Sequence, residues 1–232
     1  MWPVMIFAAG RGTRMRHLTS DRPKPMVPVA GRPLVDHALD LLVGAGATHV
    51  VVNVHHKPAP LLAHLEAERR LDIAISHERG QLLDTGGGLR HALGLLGGSP
   101  AVTLNADAVW SGPNPLAFLR DVGAPAPVGA RLLLVPSAQA VGHLGAGDFF
   151  LGGDGRLTRR GQAARAPYVY TGLQVIDTAL LAEVADDAFS LNVVWDRMLS
   201  LGTLEGCVYP GRWCDVGQPE SLPLAEAMLA DD

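Results

Sequence analysis

The sequence predicts an α/β fold: a Rossmann-like, mostly parallel sheet flanked by helices, with a smaller β-rich elaboration in the second half. Three observations predict it. Short all-apolar runs alternate with stretches of helical period from residue 4 to residue 105. The first run, residues 4–8, ends directly in a glycine loop, as a buried parallel strand of a crossover unit does. Beyond residue 130 the pattern shortens to strand-length pieces with glycine between them, including the hairpin signal Gly152-Gly153-Asp154-Gly155.

The elements follow in order. Residues 4–8 are the first strand. A helix is expected from Pro33, whose fixed φ suits a first helical position. Its apolar face is Leu34, Val35, Ala38, Leu41 and Leu42, and Gly44 and Gly46 stop it. The valine-rich residues 49–54 are the second strand. Residues 61–70 read as an amphipathic helix, 72–76 as the third strand, 87–96 as a helix and 101–105 as the fourth buried strand. Strands separated by helices imply crossover connections and a parallel sheet. Residues 122–127, Val-Gly-Ala-Pro-Ala-Pro, read as a surface loop. Strands are then expected at 131–135, at 149–151 and 156–158 as the hairpin arms, and at 168–175. Residues 178–184 and 192–201 read as helical, 208–209 and 213–216 as short strands, and 220–230 as a closing helix. No internal repeat is visible, and one domain over residues 1–232 is expected.

Composition narrows the function. With 48% hydrophobic and 18% charged residues, the chain can bury a sizeable core. A net charge of −4 argues against a nucleic-acid-binding surface. Cys207 and Cys214 have no second pair to complete a zinc site and are expected as reduced thiols on neighbouring strands. No run of ~18 apolar residues predicts a membrane span. The first residues lack the charged start of a signal peptide, so a cytoplasmic protein is expected.

Several clusters point to phosphate chemistry. Gly10-Arg11-Gly12 follows the first strand, and glycines there let backbone N–H groups approach an anion. Arg11, Arg14 and Lys24 add charge, and Pro23 and Pro25 restrict the backbone around Lys24. A dinucleotide fingerprint would need glycine at Met15, and a Walker A loop would need Gly-Lys-Ser/Thr; neither is present. Asp107 follows the fourth strand, where a carboxylate can hold Mg²⁺. Asp215 lies in the apolar run Trp213–Gly217 and needs a metal or basic partner there. Glu78 is a candidate acceptor for a base N–H. Asp84-Thr85-Gly86-Gly87-Gly88 precedes a helix, so its amides could meet an anion or a base edge. Asn53-Val54-His55-His56 ends the second strand, where open α/β sheets bind ligands. Plain structural readings stand beside these: a tight turn, a helix cap, a solvated glutamate.

Ala8-Ala9-Gly10-x-Gly12-Thr13-Arg14-Met15, followed by Pro23-Lys24-Pro25, resembles the signature of the sugar-1-phosphate nucleotidyltransferases. Asn105-Ala106-Asp107 and Trp213-Cys214-Asp215-Val216-Gly217 resemble that family's two aspartate motifs, with Ala106 in place of the usual glycine. The resemblance spans about residues 4–229. It implies a GT-A-like nucleotidyltransferase fold, with a nucleotide-binding half to about residue 120 and a sugar-binding half beyond it. It implies Mg²⁺ on Asp107 and Asp215, with Arg14 and Lys24 sharing in catalysis. Nucleotide contacts are implied for Ala8, Ala9, Gly10, Gly12, Thr13, Arg14, Lys24, Glu78, Thr85, Gly86 and Asn105, and sugar contacts for Asn105, Asp148, Thr171 and Gly172. Thr85-Gly86-Gly87-Gly88, Gly147-Asp148-Phe149 and Tyr170-Thr171-Gly172 resemble the subgroup that transfers uridylyl to N-acetylmuramate 1-phosphate in peptidoglycan recycling. The Glu-Lys-Pro motif of larger relatives is absent, and Arg159, Arg160 and Arg165 are the basic residues of that segment. The implied partners are UTP and the sugar phosphate, the product a UDP-sugar, and the protein a monomer or weak homodimer. Two other readings stand: a mannose-1-phosphate guanylyltransferase, and a nucleotide-sugar-binding module without catalysis.

Overall fold

A computed structural model describes residues 2–231. The chain runs through β1 (Val4–Phe7), β2 (Pro28–Val29), β3 (Arg32–Pro33), α1 (Leu34–Gly44), β4 (His49–Val54), α2 (Pro58–Ala67), β5 (Asp72–His77), α3 (Asp84–Leu96), β6 (Ala101–Asn105), β7 (Ala108–Ser111) and α4 (Pro115–Val122). It continues through β8 (Ala130–Pro136), β9 (Ala140–Val141), β10 (Phe149–Leu151), β11 (Leu157–Arg159), β12 (Tyr168–Ile176), α5 (Leu191–Leu201), β13 (Leu204–Val208), β14 (Arg212–Asp215) and α6 (Leu222–Ala230).

The expected parallel core is present. β6, β1, β4 and β5 lie side by side, all parallel, with Ile6 opposite both Val52 and Leu104. β6, β1 and β4 are mostly apolar on both faces because both faces are covered, whereas β5, at the edge, is only partly buried. Val4, Ile6, Val50 and Val52 pack toward Val35, Leu39 and Leu42 of α1. Met5 and Val51 pack on the other side with Leu89 and Ala92 of α3 and with Val194 and Met198 of α5. β12 then joins β6 antiparallel and carries β10, β11, β8 and β13, which completes nine strands.

A second sheet, β7-β14-β9, holds the apparatus of interest. It buries Val109 and Cys214 against Met15, Ala225 and Met228. Its first strand was not anticipated. β7 begins three residues after β6 ends, and with only Ala106 and Asp107 between them the two read as one element. In that turn the chain passes from the large sheet to the small one.

Other departures have local causes. α1 begins at Leu34, with Pro33 as its cap, and its buried face uses Leu39 where Leu41 was expected. α2 begins three residues early, at Pro58, and ends before Glu68, whose carboxylate accepts from the Arg69 and Arg70 amides. α3 begins at Asp84, because its glycines are the first helical turn and not a loop. α4 was missed: it has only eight residues, capped by the Asn114 side chain accepting from the Leu116 and Ala117 amides. The second hairpin arm is Leu157–Arg159, one residue later than expected, with Leu157 opposite Leu151 and buried. Residues 179–183 form a 3₁₀ turn in place of a longer helix. Cys207 and Cys214 are both free thiols as expected, but their strands, β13 and β14, belong to different sheets.

Candidate active site

The glycine turn leaves β1 with Ala8 and Ala9 buried and Gly10 exposed. Gly12 has φ +62°, and a Cβ there would lie 2.9 Å from Lys24 Cβ. Glycine is therefore demanded twice, by backbone conformation and by the close approach of the Pro23-Lys24-Pro25 segment. Thr13 and Arg14 follow, exposed, on a 3₁₀ turn. The next residue, Met15, is completely buried beneath the small sheet and ties that turn down. Arg11 is exposed at the rim.

Lys24 is the basic residue that the fold spends most on. Its side chain is only 10% exposed, and Nζ donates to Asp107 Oδ2 at 2.8 Å. Asp107 stands in the turn between the sheets. The register of β14 on β7 pairs Asp215 with Ala108, and the Val216 amide donates to the Asp107 carbonyl at 2.9 Å. Two carboxylates 108 positions apart in the chain are thus held as neighbours. Burial, and next the charge of Asp107, push the Asp215 carboxyl above the ordinary carboxylate range; Lys24, Arg14 and His143 offset this in part. Gly217 keeps the space open: a Cβ there would lie 3.1 Å from Asp215 Oδ1 and 3.2 Å from Arg14 Nη1. Arg14, Lys24, Asp107 and Asp215, expected together from the sequence, converge.

The two carboxylates suit a magnesium ion. Among the described residues there is no cluster of three or more acidic, His or Cys ligands. Mg²⁺ is usually held by one or two carboxylates, the rest of its shell being water and substrate phosphate. Asp215, half-buried beside a like charge, has electrostatics that a cation would relieve.

Three cavities meet at this point, and Asn105 borders all of them. One, of about 200 Å³, lies between Gly10, Asn53, Thr85 and Asp107. The second, about 380 Å³, is bounded by Arg14, Asp107, Asp215, His143 and Gly172. The third, about 310 Å³, is bounded by Asp84, Asp148, Arg159, Tyr170, Asn192 and Trp195. A bulge in β12 between Tyr170 and Gln174 shapes the middle one. There Gly172 takes φ +85°, and a Cβ would lie 2.7 Å from Asn105 Nδ2, so the glycine is what lets Asn105 stand where it does.

Two expected contacts, Glu78 and Gly86, border none of these three cavities. Glu78 is not free to read a base. It is 3% exposed, accepts from Asn53 Nδ2 at 2.6 Å and from the Leu83 amide at 2.8 Å, and so spends both oxygens on the fold. Asn53 in turn accepts from the Ala8 amide at 2.7 Å, which ties the glycine turn to this buried carboxylate. Gly86 is not an open amide either: its N–H and that of Gly87 both donate to the Phe189 carbonyl. Thr171 borders the 380 Å³ cavity, while its hydroxyl donates to the Leu133 carbonyl. Thr85 does border two cavities, while its hydroxyl accepts from the Leu191 amide and caps α5. Asp148 borders the third cavity and accepts from the Tyr170 amide. His55 and His56 border none of these three cavities.

Asp84, Asn192 and Trp195 were missed as cavity residues. Ser190, which caps α5 through its side chain, was the available signal for the last two. Asp84 adopts φ +59°, a strained setting for a residue other than glycine, and borders two of the cavities.

Comparison with known proteins gives the family and the fold. The nucleotidyl transferase family matches residues 3–140. The chain belongs to that family. An N-acetylmuramate α-1-phosphate uridylyltransferase of Caulobacter vibrioides is 40% identical to this nucleotidyl transferase, over 98% of its chain and 97% of the relative. The enzyme of that name from Neisseria meningitidis is 34% identical over 97% of each. A mannose-1-phosphate guanyltransferase of Gibberella zeae is 29% identical, and the match covers 94% of this chain but 61% of that longer protein. In fold, the transferase is similar to HddC from Yersinia pseudotuberculosis complexed with GMP-PN, with a TM-score of 0.80 at 19% identity over 99% of this chain and 100% of that one. The expected enzyme class and α/β fold are both met. No helix among the described residues is long and apolar enough to cross a membrane.

Proposed function

We propose that this sugar-1-phosphate nucleotidyltransferase joins UTP to N-acetylmuramate 1-phosphate, giving a UDP-sugar and pyrophosphate, in peptidoglycan recycling. The convergence of Lys24, Asp107, Asp215 and Arg14 where three cavities meet carries the reaction class. The choice of uridylyl and of N-acetylmuramate rests on likeness to the two relatives that match nearly end to end.

In the proposed reaction a phosphate oxygen of the sugar 1-phosphate forms a bond to the α-phosphorus of the triphosphate. The bond from that phosphorus to the β-phosphate bridge oxygen breaks, and its electron pair leaves with pyrophosphate. The nucleophile is already anionic, so no general base is needed, and catalysis reduces to positioning and neutralising charge. Mg²⁺, held by Asp107 and Asp215, would supply positive charge to the phosphate oxygens. Lys24, immobilised by burial, stands where the α-phosphate must come. Arg14, which borders the same cavity as both carboxylates, would offer its guanidinium to the departing pyrophosphate. Asn105, common to all three cavities, is placed to touch both substrates.

The test is a matrix of UTP and GTP against N-acetylmuramate, mannose, glucose and N-acetylglucosamine 1-phosphates with Mg²⁺, read as pyrophosphate release. UTP with N-acetylmuramate 1-phosphate should be preferred. A preference for GTP with mannose 1-phosphate would replace this reading with a guanylyltransferase. No release with any pair would leave only a nucleotide-sugar-binding module.

A further inference from the structure

Arg159 closes β11 and pairs across the hairpin with Phe149. Among the described residues that border the 310 Å³ cavity it is the only cation. It is also held still. Nε donates to Asp196 Oδ1 at 2.7 Å, Nη2 donates to the Asn192 carbonyl at 3.2 Å, and the guanidinium carbon lies 5.6 Å from the centre of the Phe149 ring. A guanidinium has five N–H donors, and these two bonds leave the rest for a ligand. Holding a cation in place beforehand removes much of the ordering cost of binding an anion to it.

The location says which anion. The sugar's anomeric phosphate must reach the α-phosphorus, beside Lys24 and Asp107. Asp107, to which Lys24 is paired, borders both of the other cavities, and Arg14 and Asp215 border the larger of them; Arg159 borders neither. The 310 Å³ cavity shares only Asn105 and Tyr170 with the 380 Å³ one that holds Arg14 and Asp215. The remaining charged groups on its wall, Asp84 and Asp148, are acceptors. Hydroxyl and acetamido N–H groups satisfy them, whereas a carboxylate is repelled from them and drawn to the guanidinium.

We propose that Arg159 is a specificity residue that binds an acid substituent on the sugar ring, the lactyl carboxylate of N-acetylmuramate 1-phosphate, and not the anomeric phosphate. This rests on the proposed function. It also gives the segment lacking the Glu-Lys-Pro motif a role of its own.

N-acetylglucosamine 1-phosphate differs from N-acetylmuramate 1-phosphate only in lacking the lactyl ether, so the two form a matched pair. Steady-state kinetics with UTP and each sugar should be measured for the unmodified enzyme, Arg159→Gln and Arg159→Lys. Removing one charge-assisted contact predicts that Arg159→Gln raises KM for N-acetylmuramate 1-phosphate about 10- to 100-fold and changes that for N-acetylglucosamine 1-phosphate by less than about twofold. Arg159→Lys, which keeps the charge and loses the fork, should fall between. The neutral sugar also reports whether each variant is folded. Equal losses with both sugars would place Arg159 on the phosphate or in the fold, and an unchanged preference would remove it from the site; either overturns the proposal. Failure of the unmodified enzyme on N-acetylmuramate 1-phosphate sinks the proposed function instead, so the two failures are distinguishable.

Discussion

At Asp215 the demands of folding and of chemistry conflict. Burial and the neighbouring Asp107 raise its folded-state pKa above the value it has in the unfolded chain. The folded protein therefore keeps that proton to higher pH. The stability this contributes is present below the ordinary carboxylate range and is lost as pH rises through the raised folded value. At neutral pH without metal, an ionised Asp215 is a burden. Asp215→Asn should accordingly keep or raise the melting temperature at pH 7, with a gain that shrinks toward pH 4, while pyrophosphate release falls on the order of 10²- to 10³-fold. A melting temperature that drops, in differential scanning calorimetry at pH 7, would show that the carboxylate is already well paired. Cys214 offers a second check at this scale. Burial, and next Asp215, push its thiol up to about 12, so almost no thiolate exists at pH 8. It should react with a disulfide reagent only after denaturation, and rapid labelling of the native protein would contradict its place under the small sheet.

At the scale of elements, the unforeseen feature is how α3 is seated. Gly86 and Gly87 press on Phe189 and Asp187, and Gly88 on the Glu78 carboxylate, each closer than any Cβ would allow. Glycines disfavour a helix on propensity, so the helix was expected only from residue 87; tertiary packing overrides that preference and starts it at Asp84. Glu78 was misread for a related reason, because nothing in a sequence says which donor a buried carboxylate will meet. Glu78→Ala should leave the Asn53 side-chain amide and the Leu83 backbone amide unpaired, at a cost of about 1–3 kcal/mol each. A melting-temperature loss is expected with no switch of base preference. If Glu78 did read the base, Glu78→Gln would alter the UTP to GTP ratio with little effect on melting. The glycine turn, Lys24 and both aspartates were legible because charged residues beside buried strands have few other uses. Arg159 was visible as a basic residue, but its orientation depends on pairing with Phe149 and on Asp196 of a distant helix, which the sequence does not announce.

Across the whole molecule, the site is assembled from parts far apart in the chain: a turn after β1, the crossing between the two sheets, the end of β14 and the bulge of β12. The alternating pattern up to residue 105 made the parallel core readable. The small sheet was not, since its strands come from distant segments and β7 hides behind β6. Because two carboxylates alone make an incomplete magnesium site, metal and nucleotide should bind as a pair. Mg²⁺ alone should hardly move the melting temperature. Mg²⁺ with UTP at about 100 times its dissociation constant should add about 2.7 kcal/mol of stability. For a chain of this length that is a rise of roughly 5–10 °C, at about 2–4 °C per kcal/mol. A full shift with Mg²⁺ in the absence of nucleotide would mean that the protein completes the ion's shell by itself.

β11 is the last strand at one end of the large sheet, while Asp107 leaves β6, which is flanked on both sides. The two positions face different prospects over evolutionary time. A replacement in β6 or its turn disturbs neighbours on both flanks and is readily purged. A replacement at Arg159 touches one short hairpin and the exposed Asn192 and Asp196 of α5. Lineages descending from such a chain can exchange one sugar for another by drift at its margin and inherit the phosphate chemistry unaltered.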